Sequence, residues 1–310
     1  MVASLKALEF RFQGLLGARV ELESDQGSGF VLQCPLILYS GPGQIMSDSK
    51  GNVSASRKLR VRSRIGKYRV EACLAEGVYS NVYRAFDTIE RRQVALKIPH
   101  RDLATDDYLE GFRHEVRLSA KIDHKCILGI KDASVIDGYF VMAYPLGIET
   151  LTSRLARRMS NDTLAIFILH AIEGLASVHA HHVIHCDIKP DNFIIFPGPV
   201  LKLADLGIAR FSLRTVCGSG SGTLGHMAPE QAFGKPSARS DIFALGLVLY
   251  RMVAGTLPEY PFDWPPAGFD RLRARAHPDF IEILRTCLQL RSKQRSEHLT
   301  STESVMIPFG

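Results

Sequence analysis

The sequence predicts an α+β fold in two lobes, strand-rich first and helical after. Between Gly66 and Gly147 strand-like runs recur around glycine turns, whereas beyond Gly147 apolar residues return at helical spacing. With 310 residues, 46% of them hydrophobic and 23% charged, the chain can bury a large core and still carry an extension.

The elements follow in chain order. Residues 1–39 hold "ARVELES" and "FVLQCPLILY" around the turn signal "DQGSG", which predicts a hairpin or small β unit. Residues 40–65 read as a flexible basic linker, because "SGPGQIMSDSKGNVSAS" offers Ser and Gly with little to bury. The first lobe is expected over 66–142, with strands in "YRVEACLAEG", "SNVYRAFD" and "RQVALKIP". A helix follows in "YLEGFRHEVRLSAKI", where Leu109, Phe112, Val116, Ser119 and Ala120 share one side. Two more strands, "ILGIKDASVI" and "GYFVMAYPL", lead to a connection at 143–147. The second lobe, 148–300, carries helical runs such as "NDTLAIFILHAIEGLASVHAHH", "SDIFALGLVLYRMVAG" and "PDFIEILRTCLQL", and 301–310 is a tail. No internal repeat interrupts this order.

Composition excludes several classes. The six cysteines, Cys34, Cys73, Cys126, Cys186, Cys217 and Cys287, form no Cys-x-x-Cys pair, so neither a zinc site nor a disulfide framework is expected, and a cytoplasmic setting fits. Met1 to Val20 is broken by Lys6, Glu9, Arg11 and Arg19, and no apolar run reaches the roughly 18 residues of a membrane span. The net charge of +6 is partly local: "SRKLRVRSRIGKYR" (56–69) has seven basic residues and no acidic one, while "RLARR" and "RLRARA" add smaller clusters. Solvated faces explain such runs; a docking site for an acidic partner, as for 56–69, or for a membrane surface is the alternative. Aromatic residues that would stack bases are not interleaved, so no nucleic acid is expected.

The chemistry lies at the junctions. Gly77 in "LAEGVYSNVY" sits on a strand-turn-strand, where a missing Cβ lets backbone N–H groups approach a polyphosphate. Lys97, between Ala95, Leu96 and Ile98, points an ammonium inward and needs an anion; Glu115 on the following helix is the natural one. In "HCDIKPDNF", Asp187 can accept a hydrogen bond from a hydroxyl, and Lys189 can neutralise a phosphoryl group in transit. Asn192, with Asp205 thirteen residues later in "ADLG", supplies hard oxygens suited to magnesium.

This set resembles the eukaryotic-type serine/threonine protein kinases, in the bacterial style, from about Gly66 to Arg295. The resemblance implies a bilobal kinase fold, ATP and Mg2+ as cofactors, and Ser or Thr hydroxyls of proteins as acceptors. It implies that Leu74, Ala75, Glu76, Gly77, Val78, Tyr79, Ser80, Asn81 and Val82 form the loop over the nucleotide. Lys97 would touch the α and β phosphates, anchored by Glu115, and Val82, Ala95 and Ile194 would sandwich adenine. Met142, as gatekeeper, with Ala143 and Tyr144 would line its edge. Asp187 would be the catalytic base, Lys189 its helper, and Asn192 and Asp205 the metal ligands. Glu230 of "APE" would pair with Arg295, and Asp241 would begin a central buried helix. Lys189 and Thr223 in "GTLGHMAPE" favour Ser or Thr over Tyr.

Departures from the family pattern bear on activity. Ala75 and Ser80 replace two loop glycines, Leu206 replaces a phenylalanine, and Ser119 stands in a usually apolar spine. Pro145 falls where the hinge usually donates an N–H to adenine, a loss of about 0.5–1.5 kcal/mol. Cys186 replaces the arginine that clamps a phosphorylated loop, so phosphorylation of Ser212, Thr215, Ser219 or Ser221 is not expected to be the main switch, with Arg210 at most a partial contact. Two alternatives stay open: an ATP-binding pseudokinase scaffold, and a small-molecule phosphotransferase of related fold, which Lys189 and "GTLGHMAPE" disfavour.

Overall fold

The computed structural model describes residues 58–101, 105–206, 224–259 and 261–297. The hairpin expected in 1–39, the linker up to 57, the loop positions Arg210, Ser212, Thr215, Cys217, Ser219, Ser221 and Thr223, and the tail lie outside them.

Six strands build one antiparallel sheet: β1 (Arg64–Ile65), β2 (Tyr68–Glu76), β3 (Ser80–Asp87), β4 (Arg92–Pro99), β5 (Asp132–Ile136) and β6 (Tyr139–Pro145), in the order β1-β2-β3-β4-β6-β5. Strict alternation along β3 buries Tyr83 and Ala85 in a cluster with Tyr68, Val70, Leu96 and Ile98. Register fixes what the other face carries: Val82 lies opposite Lys97, Lys97 opposite Met142, and Ala95 opposite Tyr144. The lobe starts earlier than Gly66. Ile65 is buried, β1 pairs with β2, and Lys58 meets Glu76 at 2.6 Å, so the end of the expected linker is part of the sheet.

Helix α1 (Asp106–Lys121) starts at Thr105, whose hydroxyl accepts from the Tyr108 N–H. Tyr108, Phe112, Glu115 and Ser119, at helical spacing, form its buried stripe. The second lobe holds α2 (Leu151–Leu155), α3 (Asn161–Ala180), α4 (Pro229–Ala232), α5 (Ala238–Ala254), α6 (Phe269–Arg275), α7 (Pro278–Cys287) and α8 (Ser292–Glu297). A small sheet of β7 (Glu149–Thr150), β8 (Phe193–Phe196) and β9 (Val200–Leu203) runs beneath the junction. Its core joins Phe167, Leu175, Phe193, Leu203, Phe243 and Val248. By length and composition α3 could cross a membrane, but 67% of its apolar window is buried inside the protein, as a core helix requires.

Helix α5 is the axis of this lobe. A capping box between Ser237 and Ser240 starts it, and Gly255, at φ 78°, ends it in the left-handed region open to glycine.

Candidate active site

The upper wall is the β2–β3 hairpin. The Gly77 N–H donates to the Ser80 carbonyl at 2.9 Å, and a Cβ on Gly77 would sit 2.9 Å from that same oxygen, so this position demands glycine. Two side chains that the sequence reading missed hold the turn: His100 Nε2 lies 2.8 Å from the Gly77 carbonyl oxygen, and the Tyr108 hydroxyl donates to the Tyr79 carbonyl. Leu74 and Val78 are exposed on the hairpin, and Glu76 pairs with Lys58. The side chain of Asn81 turns to the opposite face, where its amide donates to the Tyr83 hydroxyl at 3.1 Å.

Behind the hairpin the buried Lys97 ammonium meets three carboxylate oxygens: both of Glu115 at 2.9 Å and Oδ1 of Asp205 at 2.6 Å. Burial opposes the charge on Lys97, but the Asp205 and Glu115 carboxylates outweigh it and hold its pKa above the ordinary value. Burial likewise works to raise Asp205, and the Lys97 ammonium overrides it, so that Asp205 stays below the usual carboxylate range. The helix and the sheet are thus locked by an ion pair whose partners come from β4, α1 and the segment after β9.

Tyr144 adds to this lock. Its hydroxyl donates to Glu115 Oε1 at 2.9 Å and also meets the Ser119 side chain. Ser119 therefore has a polar partner inside the contact between α1 and the sheet, which is why a hydroxyl is tolerated at that spine position. Met142 is fully buried directly opposite Lys97, two residues before Tyr144 on the same strand. Ala95 and Ile194 pack against the same cluster as Tyr144 and Met142, Ala95 from the sheet and Ile194 from β8 in the second lobe.

The lower wall is the loop before β8. Asp187 Oδ2 accepts from Asn192 Nδ2 at 2.9 Å and from Lys189 Nζ at 2.8 Å, while its Oδ1 is buried without a partner. Asn192 also donates to the Asp187 carbonyl at 2.8 Å, which commits its amide nitrogen. Asp241, in the first turn of α5, holds this loop by its backbone: it accepts from the N–H groups of His185 and Cys186, each at 2.8 Å, and contacts His179 Nε2 at 2.9 Å. The Cys186 carbonyl accepts from Gln231 Nε2 at 2.6 Å. Cys186 itself is at φ 62°, a costly conformation for a side chain with a Cβ, and these three bonds enforce it. Burial, with Asp241 and Asp187 close by, pushes the Cys186 thiol up to about 12, so it is an inert structural thiol.

Glu230 and Arg295 meet as expected. The guanidinium of Arg295, 0% exposed, makes two bonds of 2.7 Å to Glu230 and three more to the carbonyls of Arg239, Gln289 and Leu290. Burial would raise Glu230, but the bonds from Arg295 hold it below its usual value.

Residues 68–304 match the protein kinase domain family. The chain belongs to it. The kinase domain is 33% identical over 213 residues to a probable serine/threonine-protein kinase PknB of Corynebacterium glutamicum, an alignment covering 63% of this chain and 33% of that protein. It is 34% identical over 201 residues to the serine/threonine-protein kinase PrkC of Bacillus subtilis, covering 62% of this chain and 31% of that one. The chain thus spans about a third of the length of these relatives. The kinase domain of Mycobacterium tuberculosis PknI superimposes with a TM-score of 0.59 at 22% identity, over 78% of this chain and 95% of that one, which shows the bilobal α+β fold.

Proposed function

We propose that the chain transfers the γ-phosphoryl group of ATP to Ser and Thr hydroxyls of protein substrates. One observation carries the reading: Asp187 Oδ1 is a buried acceptor without a partner, beside a lysine that grips the other oxygen of the same carboxylate. A buried unpaired oxygen is costly, and a substrate hydroxyl is the donor that would satisfy it. Asp187 then orients the hydroxyl and takes its proton, Lys189 neutralises charge on the moving phosphoryl, and Lys97 fixes the remaining phosphates.

Magnesium fits the residues present. With the Asn192 nitrogen committed to Asp187, its amide oxygen and the Asp205 carboxylate are the hard donors that would hold it. When bound it supplies charge neutralisation to the phosphates. Leu74 to Val82 would cover the nucleotide from above, with Gly77 and Ser80 shaping the turn, and Ala95, Val82 and Ile194 would enclose adenine. Met142, buried opposite Lys97, would close the back of this slot as gatekeeper, with the Tyr144 hydroxyl on Glu115 beside it.

Pro145 weakens the hold on the nucleotide without removing it. It lies at the end of β6, opposite Val94, and the chain leaves the sheet after it. Without an N–H at this position one hydrogen bond to adenine is lost, which weakens nucleotide binding by about 0.5–1.5 kcal/mol without abolishing it. Cys186 supports control without a loop phosphate, since its backbone is held by Asp241 and Gln231 rather than by a side-chain clamp. The acceptors are proteins of the cytoplasm, and within the basic run 56–69, where Lys58, Lys67 and Arg69 already meet carboxylates of the chain, the exposed Arg60, Arg62 and Arg64 are what an acidic partner would meet.

The test is transfer of label from γ-labelled ATP with magnesium to a generic basic protein, beside Asp187→Ala, followed by identification of the labelled amino acid. Label on Ser or Thr that disappears in the variant supports the reading. ATP binding without transfer in the unaltered chain would make it a nucleotide-binding scaffold.

A further inference from the structure

The small basic clusters "RLARR" and "RLRARA" lie more than a hundred residues apart in the chain, yet the fold brings them to one cavity. This cavity, of about 570 Å³, opens between the end of α2, the last turn of α5 and α6. Five arginines line it: Arg157, Arg158, Arg251, Arg271 and Arg275. Ten residues of α5, or about 15 Å at 1.5 Å per residue, separate Arg251 from Asp241 at the catalytic loop, so the cavity is distinct from the cleft.

What sets it apart is missing counter-charge. Arg157 pairs with Glu149, but among the described residues Arg158, Arg251, Arg271 and Arg275 form no ion pair. The polar bonds of Arg275 go to the Val253 carbonyl and to Asn161 Oδ1, both neutral. Its neighbours oppose its charge: burial first, then Arg271 and Arg158, hold its pKa below the ordinary value. Arg251 acts at a distance too, since burial and its guanidinium push His226 down to about 4. Arginine does not shed its proton at neutral pH, so the repulsion persists until an anion enters.

We propose that this cavity is a phosphate-binding site that takes a phosphomonoester dianion. Guanidinium forks match phosphate oxygens in bidentate pairs, and a dianion with three acceptor oxygens serves several forks at once where a carboxylate serves one. The volume falls within the range of small-ligand sites, about 300–1,000 Å³. Met159 and Met252 form apolar wall beside the arginines, which suits a phosphorylated side chain with its carbon stem. A concave site walled by methionine rather than aromatic rings does not suit stacked bases. The phosphate arrives either on a Ser or Thr of a protein or on a free small molecule.

Fluorescence anisotropy with the full chain separates the cases, using a phosphoserine peptide, its unphosphorylated twin, and free O-phosphoserine as competitor. The phosphopeptide is expected to bind at least about tenfold more tightly than its twin, and R271Q/R275Q to remove that difference. Arg158→Gln, at an exposed position, is expected to weaken binding by threefold or more with an unchanged melting temperature, which guards against misfolding of the double variant. Competition by O-phosphoserine at the peptide's own dissociation constant assigns a free phosphate ester; competition only at far higher concentration assigns a phosphoprotein. Equal binding of the two peptides, or full phosphopeptide affinity in R271Q/R275Q, would overturn the proposal.

Discussion

The two ends of α5 gather charge in opposite ways. At its start Asp241 binds the backbone of the catalytic loop, Ser240 donates to Glu230, and Glu230 neutralises Arg295, so each of these buried charges has a protein partner. At its end Arg251, Arg271 and Arg275 face one cavity with no carboxylate among the described residues. The helix dipole favours both placements, acidic first turn and basic last turn, but it accounts for one arginine and not for three. Paired charge marks an assembly completed by folding. Unpaired charge of one sign marks an assembly completed by something else.

The largest expected effect comes from breaking a completed pair. Glu230→Ala leaves the Arg295 guanidinium buried and uncompensated, and denaturant unfolding should show a loss of about 3–5 kcal/mol. Next, Lys97→Met removes the cation shared by Glu115 and Asp205, and kcat/KM for phosphoryl transfer should fall at least about a hundredfold. The same contrast has a pH signature. Because Glu230 is depressed below its unfolded value of 4.5, its contribution is complete above that pH and is lost as pH falls through the lower folded value. Thermal melts of the unaltered chain and Glu230→Gln should therefore keep a constant gap from pH 7 to about pH 5, and converge below about 4.5.

At the other end of α5 the expectation reverses. Arg271→Gln removes an unpaired like charge, so unfolding should show a change within about 0.5 kcal/mol, or a gain. A loss of several kcal/mol would mean that the arginine cavity is held together by contacts of its own. At the hinge, Pro145→Ala restores a backbone N–H, and KM for ATP should fall by up to about tenfold, whereas an unchanged KM would mean that adenine does not use this position.

Much of the cleft was legible because its chemistry is packed into short segments. Asp187, Lys189 and Asn192 lie within six residues, and a loop that short leaves few ways to arrange them. Lys97 with Glu115 was readable because a buried charge requires an opposite one, whereas Glu230 with Arg295 followed only from the family resemblance. The register of β6 was not readable in the same way. An alternating strand shows which residues share a face but not how far each reaches: the pairing puts Met142 opposite Lys97 and Tyr144 opposite Ala95, and Tyr144 joins the ion pair only through the reach of its hydroxyl to Glu115. Cys186 looked like a gap in a regulatory clamp, whereas its backbone is what the fold uses, held by Asp241 and by Gln231, a residue with no sequence signal of its own. The arginine cavity was invisible for a related reason. Each cluster alone looks like a solvated helix face, and only the packing of α6 beside the end of α5 joins them.

The central claim is that the cleft is complete as folded, needing neither a loop phosphate nor a residue at Cys186 to bind one. Phosphatase-treated full chain, assayed for γ-phosphoryl transfer beside untreated protein and Asp187→Asn, tests this most directly. The account predicts transfer to Ser or Thr at a rate within about tenfold of the untreated chain, and a loss of at least about a hundredfold in Asp187→Asn. Treated protein that is inactive, and that recovers only as its own loop is phosphorylated again, would contradict it.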